Sequence, residues 1–220
     1  MNFPDSLLPE TLLLATNALM LVVLYISLKK SPWQNIAQPD LQNVFLGTLV
    51  CIMLIWSIRA GIKPGLNFHM LGATLLTLMF GPHLALIGMF VVLGLVTAFG
   101  HAGLYTLGLN FLLMAALPVL FSHTLFKWVD KKLPNHFFTF VLVNSFFGAA
   151  IAIALCGAAA TLILTASGIY QSNYLYSNYL IYYILMGWSE AFLTGMAVTL
   201  MVVYRPSWIC TFDDKRYLNR

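Results

Sequence analysis

Charge-poor apolar runs of membrane-crossing length dominate this chain, at residues 8–28, 42–58, 67–81, 83–99, 106–126, 137–166 and 179–204. A hydrocarbon core about 30 Å thick takes roughly 20 residues of helix. A transmembrane barrel would alternate apolar and polar residues at every second position, and these runs are continuous. Composition removes the remaining classes. Eleven basic and seven acidic residues, 8% of the chain, cannot coat a globule of 24.5 kDa, since a soluble domain carries roughly a quarter charged residues. The spread of aromatics (5 Trp, 10 Tyr, 16 Phe) excludes low complexity. A soluble enzyme, a disordered tail and a nucleic-acid binder are therefore excluded. The expectation is an all-α integral membrane protein, one polytopic domain over 1–220 with about seven helices.

The runs 67–81 and 83–99 are short and abut at Gly81-Pro82, which predicts a tight helical hairpin or a partly re-entrant pair; an even helix count follows if one is re-entrant. The run 137–166 is long enough to tilt or break near Gly157 or Gly168. Residues 1–10 contain Asp5 and Glu10 and no Lys or Arg, the reverse of a cleavable signal peptide. Lys29, Lys30, Lys127, Lys131, Lys132, Arg205, Lys215, Arg216 and Arg220 then fall on one side of seven crossings, and only Arg59 and Lys63 on the other. By the positive-inside rule the N-terminus is expected outside and the C-terminus in the cytoplasm. The net charge of +4 is thereby a topological signal. Cys51, Cys156 and Cys210 lack C-x-x-C spacing and read as small buried hydrophobes.

Polar side chains in hydrocarbon need a reason to be there. Glu190 falls midway along the last run with no Lys or Arg at its depth. It must face the bundle, protonated or hydrogen-bonded, as a structural link or as a group handling substrate or protons. His69 and His101 are expected near the outer surface, and His83, His123 and His136 near the inner one. Two histidines from different segments on one side are either polar anchors or part of a site for a late first-row divalent metal. Asn17, Asn110 and Asn144 read as helix-bridging amides, and the small-residue run 148–160 as a packing face. The chain has no G-x-x-x-x-G-K-[ST] loop, no H-E-x-x-H and no G-x-S-x-G. No enzymatic activity is expected, and any transport draws its energy from an ion gradient or another protein.

The stretch Phe68-His-Met-Leu-Gly-Ala-Thr, then Phe80-Gly-Pro82, then Phe99-Gly-His-Ala-Gly-Leu-Tyr-Thr-Leu-Gly-Leu-Asn110 resembles the CbiM/NikM-type cobalt/nickel transport membrane subunits. These are substrate-capture components of energy-coupling-factor ABC transporters. The opening Met1-Asn-Phe-Pro-Asp-Ser-Leu-Leu8 and the late motif Gly187-Trp-Ser-Glu190 are similar to the family's as well, and the tail from Tyr204 to Tyr217 resembles a proteobacterial branch.

The resemblance implies a seven-helix bundle in a bacterial cytoplasmic (inner) membrane, with an outward N-terminus tucked into its centre. It implies a coupling transmembrane subunit and cytoplasmic ATPase subunits as partners, and no permanently bound cofactor. Co(II) or Ni(II) is the implied cargo, held by the amine of Met1, the backbone nitrogen of residue 2 and the imidazole of His69. Amine, deprotonated amide and imidazole form a square plane that suits these metals. Asn2 stands where the family uses a ligating His. Asp5 or His101 is a candidate replacement ligand or neighbour of the site. The outcomes left open are an altered metal preference, a diverged substrate, or a non-transport assembly or sensor protein on the same scaffold.

Overall fold

The computed structural model describes residues 3–5 and 7–218. Six of its helices are long and apolar enough to cross a membrane: α1 (Glu10–Lys30), α2 (Pro39–Ser57), α3 (Ala73–Ala98), α4 (Leu107–Lys132), α5 (Thr139–Ala166) and α6 (Ser172–Tyr204). A short antiparallel hairpin, β1 (Ala60–Lys63) and β2 (Leu66–Phe68), joins α2 to α3. The protein is an all-α multi-pass membrane protein.

Helix α3 is two arms. At Gly81 the backbone takes φ 79° and ψ 170°, which only glycine adopts without strain, and Pro82 follows without an N–H to extend the ladder. In a continuous helix Leu76 and residue 88 would stand about 18 Å apart. A methyl placed on Gly88 would instead lie 3.0 Å from the Leu76 side chain, so the arm 82–98 runs back along the arm 73–80. The sequence-level hairpin at Gly81-Pro82 is borne out: a short arm of about 12 Å and a longer one fold back on each other within the third of the six membrane-length helices.

Other boundaries move. The run 67–81 is helical only from Ala73; residues 66–68 form β2, which pairs with β1 and sets Phe68 against Tyr179 and Tyr183 of α6. The last helix begins at Ser172 rather than 179, so the expected outer loop shrinks to about five residues. Gly157 does not break α5. It receives the Tyr183 side chain of α6, while a methyl on Gly187 would meet the Ala150 carbonyl oxygen at 3.3 Å. The small-residue run is thus consumed by α5–α6 packing inside the bundle. The irregular turn of α5 is at its start, where residues 139–147 wind as a π-helix.

One end of the bundle gathers the segment 3–5, the β-hairpin and the loop 99–106. The other gathers the Gly81 turn and the tail. Residues 78 and 79 end the short arm just before Gly81 and Pro82, which interrupt the ladder of helical N–H donors. The tail supplies the missing donors, Cys210 N to Met79 O at 2.9 Å and Thr211 Oγ1 to Leu78 O at 2.7 Å. Ile209, Phe212 and Tyr217 pack with Leu78, Phe140 and Val198 into a second small core. Arg216 pairs with Asp130 at 2.7 Å. The cysteines are free, and only Cys156 is buried. The expectation of three buried cysteines is corrected: Cys51 faces out from α2 and Cys210 lies on the docked tail.

Candidate metal-binding site

The chain leaves β2 at Phe68 and crosses His69 to Gly72 before the short arm begins. Phe68 is fixed by the rings of Tyr179, Tyr182 and Tyr183 at 5.2–5.7 Å between centroids, and the Tyr183 hydroxyl donates to Asn67 O at 2.7 Å. Gly72 has φ 69°, a left-handed turn against Ile52 that a Cβ would strain.

His69 is 3% exposed, deeper than the interfacial position expected from sequence. Its ring lies 4.8 Å from that of the buried Trp56. Nδ1 is 3.1 Å from the Met70 carbonyl oxygen, which can only accept. Nδ1 therefore carries the proton and Nε2 presents a lone pair. Burial pushes the pKa down to about 3, keeping the ring in the neutral form that binds metals. Nε2 is buried and has no hydrogen-bond partner among the described residues. An unpaired buried polar atom costs about 1–3 kcal/mol, a cost that a ligand would remove. His69 also lines an open cleft of about 630 Å³ with Arg59, Phe68, Met70, Tyr182 and Met186.

Glu190, 1% exposed, reaches this loop from α6. Oε2 accepts the Leu71 N–H at 2.8 Å and Oε1 the Gly72 N–H at 2.7 Å. Trp56 Nε1 donates to Leu71 O at 3.0 Å from the other side. Of the two sequence-level readings of Glu190, the hydrogen bond is present, although it joins a helix to a loop rather than two helices.

Asn110 and Thr106 hold the N-terminal segment. Phe3 N–H donates to Asn110 Oδ1 at 2.9 Å, and Phe3 O accepts from Thr106 Oγ1 at 2.6 Å and Asn110 Nδ2 at 3.3 Å. The Phe3 side chain is fully buried against the Gly65 turn of the hairpin that leads to His69. Met1 and Asn2 lie outside the described residues. Asp5 spends both oxygens on backbone donors, Leu104 N at 3.0 Å and Thr106 N at 2.9 Å. Nδ1 of the exposed His101 is 2.9 Å from Arg59 Nη2, and its carbonyl accepts from Nη1 at 2.6 Å. Asp5 and His101 share a neighbouring cleft of about 330 Å³ with Pro4, Gly65 and Asn67. Among the described residues no three His, Cys, Asp or Glu side chains converge as a metal cage.

Asn17 bridges as expected, donating to Tyr105 O at 2.7 Å and accepting from Gly108 N at 2.9 Å. Asn144 does not: its amide is buried without a partner among the described residues. Sequence reasoning passed over Trp56, Thr106 and Tyr183, whose roles depend on carbonyls far away in the chain, and it read Asn110 only as an inter-helix amide.

A membrane bundle of this topology, with a buried imidazole in the loop that leads to a half-length arm, defines a polytopic membrane protein whose interior holds a ring nitrogen without a partner among the described residues. The family model described as cobalt uptake substrate-specific transmembrane region, CbiM, matches residues 2–208, and the chain belongs to that family. Two solved structures share the fold. A transition metal transporter is similar at TM-score 0.79 and 21% identity, over 92% of this chain and 93% of its own. A truncated transition metal transporter is similar at TM-score 0.76 and 21% identity, over 93% of this chain and 99% of its own. No curated protein matches the sequence. The protein is a metal-uptake membrane protein and not an enzyme, from a family whose members are components of multi-subunit energy-coupling-factor transporters.

Proposed function

We propose that this chain is the metal-capturing subunit of an energy-coupling-factor importer, with Co(II) or Ni(II) as cargo. The observation that carries the reading is the buried Nε2 of a neutral His69, which has no partner among the described residues. The described chain ends two residues short of the amino terminus, with Phe3 packed on the hairpin that leads to His69. Two further residues reach about 7 Å. The donor set is then the Met1 amine, the Asn2 backbone nitrogen and His69 Nε2, three nitrogens suited to a square-planar late transition metal.

Asn2 brings an amide where the family has an imidazole, so the fourth position is filled by a weak oxygen donor or by water, and affinity is lower than a four-nitrogen site gives. The distribution of basic residues supports an outward N-terminus in a bacterial inner membrane. The partners are a coupling membrane subunit and cytoplasmic ATPases, which supply the energy this chain has no motif to generate. Asn2 also favours a second reading, a diverged assembly or sensor protein that binds no metal.

Calorimetric titration of protein with its native N-terminus separates the two. Ni(II) or Co(II) should bind more tightly than to His69→Ala, and Zn(II), which prefers a tetrahedral set, more weakly. Equal binding by wild type and His69→Ala overturns the metal reading.

A further inference from the structure

Two hydrogen bonds next to His69 belong to a single line. The carbonyl that fixes Nδ1 is that of Met70, and the N–H that Glu190 Oε2 accepts is that of Leu71. These two groups are the opposite ends of one peptide unit. Carboxyl, peptide and imidazole therefore run in series from Glu190 on α6, through the Met70–Leu71 peptide, to His69, whose Nε2 is buried without a partner among the described residues. Metal-binding histidines commonly donate their second ring N–H to a carboxylate or carbonyl, which fixes the tautomer and raises the basicity of the ligating nitrogen. In this chain the carbonyl is itself polarised by a carboxyl group on its far side, and hydrogen bonds in such a chain strengthen one another.

We propose that Glu190 is a positioning residue for the metal site, setting the tautomer and direction of His69 through the Met70–Leu71 peptide; this rests on the metal-capture reading above. The same carboxyl group accepts the Gly72 N–H, one of the donors left unpaired at the start of the short arm, where no side chain of the arm itself caps the helix. Trp56 grips the next carbonyl from α2. The loop is thus held between α2 and α6, and the group that holds it also acts on the ligand. This accounts for a carboxyl group buried in a membrane span with no cation beside it.

The test uses the full-length protein with its native N-terminus and two readouts. The first needs no metal: the ring-nitrogen NMR shifts of ¹⁵N-histidine-labelled protein report which nitrogen of His69, assigned by its loss in His69→Ala, carries the proton. Wild type should show Nδ1–H, and Glu190→Gln a mixture with Nε2–H. The second is Co(II) and Ni(II) affinity with the Co(II) absorption spectrum. Outer partners of metal ligands typically contribute 10–100-fold in affinity, and Glu190→Gln should lose about that much with altered Co(II) bands. Glu190→Asp, which keeps the carboxyl group, should retain the tautomer and lose less, and it serves if Glu190→Gln does not fold. An Nε2–H tautomer in wild type, or a tautomer and affinity unchanged in both variants, overturns the proposal. Absence of metal binding by wild type overturns the metal reading instead, and leaves the tautomer result to judge the Glu190 linkage by itself.

Discussion

Replacing Asn110 by Leu should undock the amino terminus without opening a cavity, because the two side chains are close in volume. Phe3 N–H then loses its acceptor among the described residues, Asn110 Oδ1 at 2.9 Å, while Phe3 O keeps Thr106 Oγ1 at 2.6 Å. One buried N–H is orphaned, at about 1–3 kcal/mol. Burial of the Phe3 ring, worth about 1.5–3 kcal/mol, opposes release and is unchanged. The docked state should therefore lose roughly 5- to 150-fold relative to the undocked one, at tenfold per 1.4 kcal/mol. Exchange of the Phe3 amide proceeds through that opening and should accelerate by the same factor. If the docked terminus is the metal-competent state, apparent affinity falls by no more than that factor. Hydrogen exchange at Phe3 and a Ni(II) titration on the same protein check both numbers. Wild-type exchange at Phe3 with wild-type affinity would refute the idea that Asn110 latches the segment.

Gly108→Ala should lower thermal stability by more than the usual 1–3 kcal/mol of overpacking, because the new methyl would lie 2.5 Å from the Asn17 backbone, which cannot rotate away; detergent-phase melting reads this. Thr211→Val should cost about 1 kcal/mol by removing the donor to Leu78 O, and should leave metal affinity unchanged, since it acts at the far end of the short arm from His69. Burial and the neighbouring Asp130 push the Tyr217 hydroxyl up to about 12. The unfolded tail loses that proton near pH 10 and the docked tail holds it, so this contribution is complete below pH 10 and disappears as pH rises to 12. Tyrosinate absorbance should accordingly appear together with tail release; an ordinary titration near pH 10 with the tail still docked would contradict it.

The membrane-length helices and the Gly81-Pro82 break were legible in the sequence because each depends on local chemistry: hydrocarbon excludes charge, and Gly81-Pro82 stops a helix wherever it occurs. Glu190, Asn17 and Asn110 were legible for the same reason, as polar groups whose burial demands a partner. The partners were not. Glu190 finds Leu71 and Gly72 across 119 and 118 positions, and Phe3 finds Asn110 across 107. No periodicity or propensity encodes such pairings; they exist only once α6 and α4 are packed against the short arm and the N-terminal segment. Trp56 carried no signal at all, since an aromatic residue in an apolar helix looks the same whether it faces lipid or donates to a carbonyl.

The bounds of the run 67–81 went astray where two tendencies compete. Residues 67–72 are apolar enough to read as helix, but the tyrosines of α6 and the left-handed turn at Gly72 draw them into a strand and a loop. Scarcity of charge, by itself, made this a membrane bundle and singled out the few polar residues that have to be paired. Tertiary packing alone decided that the buried carboxyl group and the buried imidazole address opposite ends of one peptide, because long-range contacts follow from how helices stack and not from any run of neighbouring residues.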